Sequence, residues 1–479
     1  MNYSIIFYII GWILNIEAAF MILPCITALV YQETSGWAFV ITMAICLAAG
    51  LPLVLRKPKN KLFYLREGFV TTSLSWITLS IMGSLPFVIS GCIPNPIDAL
   101  FETVSGFTTT GASILTDVEA LPYCMIFWRS FTHWIGGMGV LVFLLIILPM
   151  SGGSHMNLMK AESPGPSVNR ILPKVQSTAK ILYIIYVVMT LVQIILMLLG
   201  DMPVFDALTI TFGTAGTGGF GIKNDSCAGY STYLQVLITI FMILFGINFN
   251  VYYLMLIRKF KLAFSSEEVR WYLGIIGSAI LLITINTADH FGSILTAFQQ
   301  AAFQVGSIIT TTGYSTCDFN LWPQFSKAIL VLLMFIGACA GSTGGGIKVS
   351  RIIILFKTFI KELRLLVHPR SIKKIQLEGK TVEHEIVRST NVFLIAYIFI
   401  FAISVLIVTL DNFDLTTSFT AVAATLNNIG PGLDQVGPMG NFSIFSNGVT
   451  LVLTFDMLAG RLELFPLLLL FTRNIWKKF

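Results

Sequence analysis

Four short turns that end in glycine recur along this chain at nearly even spacing. Each lies between a helix-length apolar segment and a long hydrophobic stretch. The turns read Thr108-Thr109-Thr110-Gly111, Ala215-Gly216-Thr217-Gly218, Thr310-Thr311-Thr312-Gly313 and Asn427-Asn428-Ile429-Gly430. Their final glycines are 107, 95 and 117 residues apart. A recurring unit of this length predicts a fourfold internal repeat, with four copies of one unit around a central axis.

The apolar character of the chain places this repeat in a bilayer. Of the 479 residues, 55% are hydrophobic and only 11% are charged, whereas a soluble protein has about a quarter charged residues. The mean hydropathy is +0.82. Ten stretches approach the length of roughly 20 apolar residues that a membrane-spanning helix needs. The predicted spans are residues 5–32, 36–55, 68–91, 123–149, 180–200, 231–257, 270–289, 325–360, 389–410 and 442–473.

The basic residues predict the orientation of these spans. Of the 30 Lys and Arg residues, 22 lie in four connectors. These connectors are Arg56–Arg66, Lys160–Lys180, Arg258–Arg270 and Arg351–Arg388. By the positive-inside rule, the connectors and both termini are cytoplasmic. Of the 24 acidic residues, 13 fall on the opposite face, where they either concentrate cations or simply remain because the bases are kept inside.

A helix too short to cross the membrane precedes each glycine turn. Capping residues such as Asp98 and Asp206 mark helix starts, and each run has about 12–16 residues where a span needs about 20. Such a helix must enter the membrane and return, which is tolerated only inside protein or beside a water-filled cavity. Backbone carbonyls turned inward by glycine, together with helix C-termini, favour a cation at the axis.

These features predict an all-α polytopic membrane protein with four helix–pore-loop–helix repeats around a pseudo-fourfold pore, preceded by an N-terminal helix pair. The predicted segments are 1–60 for the helix pair, 61–160, 161–262 and 263–365 for the first three repeats, and 366–479 for a cytoplasmic hairpin and the fourth repeat.

The helix pair contains one mid-span carboxylate, Glu17. An acid in the membrane is a functional candidate, but Glu17 lies outside the fourfold pattern, so a structural hydrogen-bonding role is favoured over transport. Cys227 and Cys317 could pair on the outer face, although nothing in their spacing requires it.

A glycine-rich run interrupts the return span of the third repeat. Gly337–Gly346 contains five glycines, and each costs roughly 1 kcal/mol in a helix relative to alanine, so this helix is predicted to open at mid-membrane. None of the other return spans has such a run. We interpret it as a mobile gate built on Gly341, Gly344, Gly345 and Gly346. Nucleotide binding is not expected, because the spacing GxxxxGK[ST] is not met and no βαβ unit surrounds the run.

Arg461 is the only base within the return span of the fourth repeat. An unpaired Arg at this depth would cost several kcal/mol. Our hypothesis is that Arg461 faces the pore below the filter, as an electrostatic barrier and a contact for the glycine-rich loop. The alternative is a structural pair with Glu463 or Asp456.

Catalysis is not indicated by the histidines. They form neither HExxH nor a His/Cys cluster with metal-ligand spacing, and His133 is interpreted as packing the outer span. The histidines are His133, His155, His290, His368 and His384. We therefore predict no enzyme activity, no organic cofactor in this chain and no nucleic-acid partner.

Several stretches together resemble the Trk/Ktr/HKT superfamily. They are the four glycine turns, the segment Phe127–Gly139 (FWRSFTHWIGGMG), the glycine-rich break and Gly460-Arg461-Leu462-Glu463. The resemblance covers nearly the whole chain, and the extra N-terminal helix pair makes it similar to the TrkH/TrkG branch of bacterial potassium uptake proteins. It implies a subunit that translocates K+ across the bacterial inner membrane. It also implies a homodimer controlled by a cytoplasmic ring of TrkA-type subunits that bind NAD or ATP.

The resemblance also implies which residues surround the ion. Their backbone carbonyls would come from Thr109, Thr110, Gly111, Gly216, Thr217, Gly218, Thr311, Thr312, Gly313, Asn428, Ile429 and Gly430. Some plant relatives have serine in the first turn and admit sodium, so Gly111 argues for potassium. The fourth turn departs most, with Asn427, Asn428 and Pro431 where threonines would be expected.

A small hairpin is predicted in the connector Lys361–Arg388. The segment Ile375–Val382 alternates around Glu378-Gly379. This connector is either the docking surface for the regulatory ring or a basic loop beside anionic lipid. The sequence also leaves open whether transport is channel-like or coupled to H+ or Na+ as a symport.

Overall fold

The structure is a computed structural model that describes residues 1–58, 63–139, 175–370 and 374–476. Within these ranges the regular structure is helical except for one small hairpin, and the predicted all-α fold is confirmed. In chain order the helices are α1 (Tyr3–Phe20), α2 (Ile22–Tyr31), α3 (Gly36–Leu55), α4 (Leu65–Ser90), α5 (Pro96–Phe107), α6 (Tyr123–Met138), α7 (Val175–Leu199), α8 (Val204–Gly216), α9 (Thr232–Phe245), α10 (Phe249–Leu256), α11 (Phe260–Phe264), α12 (Glu267–Phe291), α13 (Ile294–Ile309), α14 (Gln324–Met334), α15 (Val349–Val367), α16 (His384–Val408), α17 (Leu415–Leu426), α18 (Asn447–Arg461) and α19 (Phe465–Leu470).

Six described helical stretches are long and apolar enough to cross a membrane: α1 with α2, α3, α4, α7, α12 and α16. They correspond to six of the predicted spans: 5–32, 36–55, 68–91, 180–200, 270–289 and 389–410. Residues 140–149 of another predicted span, and most of the connector Lys160–Lys180, lie outside the described residues.

The N-terminal pair packs tightly because small residues face each other. A Cβ on Gly50 of α3 would lie 2.9 Å from the carbonyl oxygen of Gly11 in α1, closer than real Cβ atoms approach. Such contacts between small residues bring membrane helices together. Glu17 is buried nearby, but neither of its carboxylate oxygens has a hydrogen-bond partner among the described residues. Its predicted hydrogen-bonding role is therefore not seen.

The four repeats form a closed circle. The re-entrant helices α5, α8, α13 and α17 have 12, 13, 16 and 12 residues. Each of α8, α13 and α17 packs against the return helix of the preceding repeat, which is α6, α9 or α14, and α5 packs against α18 of the last repeat. The circle thus follows the order of the chain. The segment boundaries given above remain a prediction.

All four return helices end before the predicted spans do, so a helix end at this depth is not confined to the third repeat. Helices α6, α9, α14 and α18 have only 16, 14, 11 and 15 residues. The second return span, expected as one helix over 231–257, bends by 90° between α9 and α10. The third repeat supplies the reason: Cys339 N–H donates to Gly246 O, and Phe249 N–H donates to Gly341 O. Residues 339–341 of the third repeat therefore bond to the backbone groups of Gly246 and Phe249, which would otherwise bond within one continuous helix.

The predicted hairpin is confirmed. Strands β1 (Gln376–Leu377) and β2 (Lys380–Thr381) pair antiparallel, and the turn residues Glu378 and Gly379 have φ values of 55° and 73°. Two consecutive left-handed residues are typical of the tight hairpin turns that match strand twist. Leu377 is buried and attaches the hairpin to the core of the third repeat.

Candidate functional site: a ring of four turns

Each re-entrant helix ends with the same strained turn. One residue adopts the left-handed conformation and donates its amide to the carbonyl three residues earlier, and the next amide donates to the carbonyl five residues earlier, a Schellman motif. The left-handed residues are Thr109, Thr217, Thr311 and Asn428, with φ between 54° and 59°. A left-handed conformation costs a residue with a side chain roughly 1–2 kcal/mol. Such strain persists only where its surroundings fix it, often at functional sites.

Two residues further on, a glycine joins each turn to the next one. These glycines are Gly111, Gly219, Gly313 and Gly430, with φ of 80°, 78°, 84° and 101°. A Cβ on any of them would lie within 3.0 Å of a carbonyl oxygen of the neighbouring turn. The neighbouring oxygens belong, in the same order, to Gly218, Thr312, Ile429 and Thr110. The four turns therefore converge into one closed ring, and these positions accept only glycine.

The ring shifts the repeat correspondence in the second turn by one residue. Gly219 has the conformation and contact of Gly111, and Gly218 N–H donates to Gly213 O at 2.8 Å as its equivalents do. Gly216 consequently matches Thr108 and ends α8. The run Gly216–Gly221 contains several glycines, so spacing alone was ambiguous. A signal was present, since an aromatic residue, Phe220 or Tyr314, follows the ring glycine in both the second and third turns.

His133 supports the ring from behind rather than packing the outer span. Its side chain is fully buried, with Nδ1 2.7 Å from Gly106 O, while Phe220 N–H donates to Nε2 at 3.2 Å. Since Nε2 accepts, the proton resides on Nδ1 and donates to Gly106. The neutral imidazole thus connects the end of the first re-entrant helix to the second turn.

A buried ion pair lies within the first repeat, and its arginine also bonds to the second repeat. Glu102 of α5 pairs with Arg129 of α6, and both side chains are nearly inaccessible. Arg129 also donates to Gly221 O at 2.8 Å, and Glu102 accepts from Ile114 N–H at 2.9 Å. The sequence signal for Glu102 is a carboxylate inside a membrane-embedded apolar helix, but nothing in the local pattern points to Arg129 as its partner.

A glycine-rich loop lies against part of the lower face of the ring, the side on which the return helices end. The chain between α14 and α15 is non-helical, as predicted. Gly345 N–H donates to the hydroxyl of Thr311 at 2.6 Å. A Cβ on Gly344 would lie 3.0 Å from Thr310 O, and one on Gly345 would lie 3.0 Å from Asn427 O. The loop therefore lies directly against the third and fourth turns.

Left-handed glycines and cationic side chains shape this loop. Gly341 and Gly346 have φ of 71° and 65°. The Lys348 ammonium donates to Gly344 O and, at 3.4 Å, to Gly345 O. A lysine that resembled part of a phosphate-binding motif thus binds the carbonyls of its own loop.

Arg461 contacts the loop, as hypothesised. Its guanidinium donates to Thr343 O at 3.0 Å, to Gly137 O at 3.1 Å and to Gly136 O. The alternative partners are engaged elsewhere. Glu463 pairs with Arg351, and Asp456 accepts from the Ser404 hydroxyl at 2.8 Å. Arg461 therefore joins the glycine-rich loop of the third repeat to the end of α6 in the first.

Comparison with known proteins shows the family to which the chain belongs. A family model described as TrkH, cation transport protein, matches residues 35–478. The chain belongs to the TrkH family. This is a family of transporters rather than enzymes, which agrees with the expectation that the chain is not an enzyme.

Its relatives are similar over their whole length. The chain is 38% identical to the Trk system potassium uptake protein TrkH of Salmonella typhimurium, with both chains fully covered. It is 32% identical to the Trk system potassium uptake protein TrkG of Escherichia coli, covering 99% of this chain and 98% of the relative. The crystal structure of the potassium transporter TrkH from Vibrio parahaemolyticus matches with a TM-score of 0.88 and 34% identity over 100% of both chains. The predicted polytopic membrane architecture is thereby confirmed.

Proposed function

We propose that this chain carries potassium ions across the bacterial inner membrane, with the ring of four turns as its selectivity filter. The observation that supports this most strongly is the closure of the ring by quasi-equivalent turns, each pressed against a carbonyl of the next. The relatives named above are potassium uptake proteins and a potassium transporter, which supports potassium as the transported ion.

The proposed ion ligands are neutral backbone oxygens of the four turns. With the second turn in its structural register, they belong to Thr109, Thr110, Gly111, Thr217, Gly218, Gly219, Thr311, Thr312, Gly313, Asn428, Ile429 and Gly430. Carbonyl oxygens replace the water shell of a monovalent cation without binding it too tightly for passage. Four helix C-termini aimed at the ring add partial negative charge.

The glycine-rich loop is the proposed gate. It lies against the lower face of the ring, so ions leaving the filter would meet Gly344 and Gly345. Its left-handed glycines, Gly341 and Gly346, permit rearrangement. Arg461 would hold the closed position and repel cations below the filter.

Control from the cytoplasm completes the proposal. A TrkA-type ring that binds NAD or ATP would dock on the basic connector with the hairpin, and both termini would be cytoplasmic by the positive-inside rule. The chain would act as a homodimer. Deleting the hairpin should abolish nucleotide control if the ring docks there, whereas control would persist if the connector only contacts lipid.

The decisive experiment measures uptake of potassium, rubidium, sodium and lithium in proteoliposomes. Gly111→Ser and Gly313→Ser should relax discrimination against sodium, because each added side chain would press on the carbonyl of the next turn. Gly274→Ser is the matched control, since a Cβ there meets nothing within 4 Å. Unchanged selectivity in both ring variants would remove the filter assignment.

Coupled symport with H+ or Na+ is the second candidate. Both carboxylate oxygens of Glu17 and one of Asp456 have no hydrogen-bond partner among the described residues. A buried carboxylate without donors favours holding a proton or a cation. Reversal potentials at varied pH separate the candidates, because a potential that follows the potassium gradient alone excludes coupling.

A further inference from the structure

We propose that Glu268 is the positioning residue that holds the glycine-rich loop closed, and that Glu378 of the hairpin links Glu268 to the cytoplasmic docking surface. This inference rests on the proposed function of the loop as a gate. Under this proposal, a regulator that binds the hairpin acts on the loop through Glu378 and then through Glu268.

Glu268 binds both limbs of the loop at its neck. One oxygen, Oε1, accepts from Ala340 N–H at 2.7 Å and from Ser350 N–H at 3.1 Å. The limbs also pair with each other, since Gly337 N–H donates to Ile347 O at 2.6 Å. Glu268 is only 6% exposed, and charge-assisted bonds in such a setting are stronger than neutral ones. The carboxylate thereby reinforces the backbone hydrogen bonds that hold the two ends of the loop together.

The same carboxylate stabilises a helix start. Ser350 lies in the first turn of α15, where backbone N–H groups have no partner within the helix. An anion at this position also interacts favourably with the helix dipole. Release of Glu268 would therefore free the loop and weaken the first turn of the helix that follows it.

Glu378 repeats this arrangement one step closer to the cytoplasm. Its Oε1 accepts from the Ser266 hydroxyl at 2.9 Å and from Glu268 N–H at 3.4 Å. Ser266 occupies the N-cap position of α12, but its side chain accepts no hydrogen bond from the first turn of the helix. Glu378 thus caps the helix that carries Glu268, and it does so from the turn of the hairpin.

Further contacts make the hairpin move with both helices. Lys357 of α15 forms an ion pair with Glu267 of α12 and donates to Gln376 O at 2.7 Å. Leu377 is 2% exposed and packs into the same core as Val349 at the start of α15. A protein that displaces the hairpin would therefore remove the cap of α12 and shift Glu268 away from the neck of the loop.

The first measurement is rubidium uptake by the full chain in proteoliposomes without any regulatory subunit. Glu268→Ala should raise this uptake about tenfold, since it removes two charge-assisted hydrogen bonds from the closed state. Glu268→Gln retains an acceptor oxygen and should restore most of the closure. Glu378→Ala should raise uptake less, and the double variant should resemble Glu268→Ala alone. Glu385→Gln, which alters an exposed carboxylate at the start of α16, is the control.

The second measurement reads the position of the loop without relying on transport. Cys339 lies in the loop and Cys227 lies elsewhere, and both thiols are fully buried in the closed structure. Alkylation by a maleimide, mapped by mass spectrometry, should become about tenfold faster at Cys339 in Glu268→Ala and stay unchanged at Cys227. Equal acceleration at both cysteines would indicate general destabilisation and would overturn the positioning role.

The two proposals fail in different ways. If the sodium discrimination of the ring variants is unaltered but Cys339 responds to Glu268→Ala, the filter assignment fails and the loop clamp stands. If Cys339 reactivity and basal uptake in Glu268→Ala match those of the parent chain, the clamp is wrong whatever the filter does. Should Glu268→Ala not fold, Glu378→Ala on the half-buried hairpin turn decides by the same two measurements, and an unchanged Cys339 rate there overturns the proposal.

Discussion

The ring of turns and the level just below it are built by the same four repeats but differ in symmetry. In the ring, a left-handed residue at the equivalent position and the same amide–carbonyl bonds recur in all four turns. Below it, all four return helices end early, yet the described glycine-rich loop comes from the third repeat and the arginine that holds it, Arg461, from the fourth. Ion coordination needs equivalent oxygens, whereas a gate needs one element that moves. Symmetry is therefore kept where the ion would bind and abandoned where passage would be controlled.

A substitution in the symmetric ring of turns should have the largest effect on uptake. Gly219→Ala places a methyl group within 3.0 Å of Thr312 O at a residue whose φ is 78°. Both the backbone strain and the displaced carbonyl act on the ring. We expect rubidium uptake to fall at least about tenfold. Gly274→Ala, at an open position, should leave uptake unchanged, and normal uptake by Gly219→Ala would show that the second turn has been placed in the wrong register.

Breaking the ion pair between Glu102 and Arg129 should mainly lower the stability of the folded protein. Glu102→Gln leaves Arg129 buried beside a neutral partner, and breaking such a pair typically costs about 3–5 kcal/mol. A clear drop in melting temperature in detergent is therefore expected. Glu362→Gln, in the more exposed pair with Lys361, should change stability by less than about 1 kcal/mol. Equal melting temperatures for the two variants would contradict the supporting role.

Loss of the contacts between Arg461 and the glycine-rich loop, below the ring, should raise basal uptake and leave ion selectivity intact. Arg461→Ala removes the donors to Thr343 O, Gly136 O and Gly137 O, so we expect uptake without a regulator to increase about fivefold. Arg461→Lys keeps the charge but cannot reproduce the fork of donors, and it should have an intermediate effect. If neither uptake nor regulation changes in Arg461→Ala, its role as barrier and latch is excluded.

The fourth turn tests whether its side chains or only its backbone must match the other three turns, and the expected effect is small. Asn428 donates to the Thr110 hydroxyl at 2.9 Å and to Met457 O at 2.8 Å, a cross-connection that a threonine could not copy. Asn428→Thr makes this turn resemble the others but loses both bonds. We expect at most about a twofold change in the potassium-to-sodium uptake ratio, because the carbonyl geometry is retained by the Schellman bonds. A large loss of selectivity would show that the side chain itself sets the filter geometry.

Local patterns in the sequence were sufficient for the outline of the fold. The short helices before the glycine turns, the opening of the third return span and the hairpin at Glu378-Gly379 follow from span length, glycine content and alternation. Where several glycines adjoin, as at Gly218 and Gly219, the spacing of the glycines alone could not choose the register. The conformation of one residue depends there on the neighbouring turn.

Patterns along the chain predict four recurring apolar units, each with a re-entrant helix and a turn that contains glycine. These are properties of chain segments, and span length and local propensity govern them. The folded structure was needed to show that the turns close into a ring, that Glu102 pairs with Arg129, and that Glu268 binds both limbs of the loop. Each of these joins residues from separate parts of the chain. Their partners are chosen by packing and by the need to satisfy buried polar groups, and neither is encoded in local spacing.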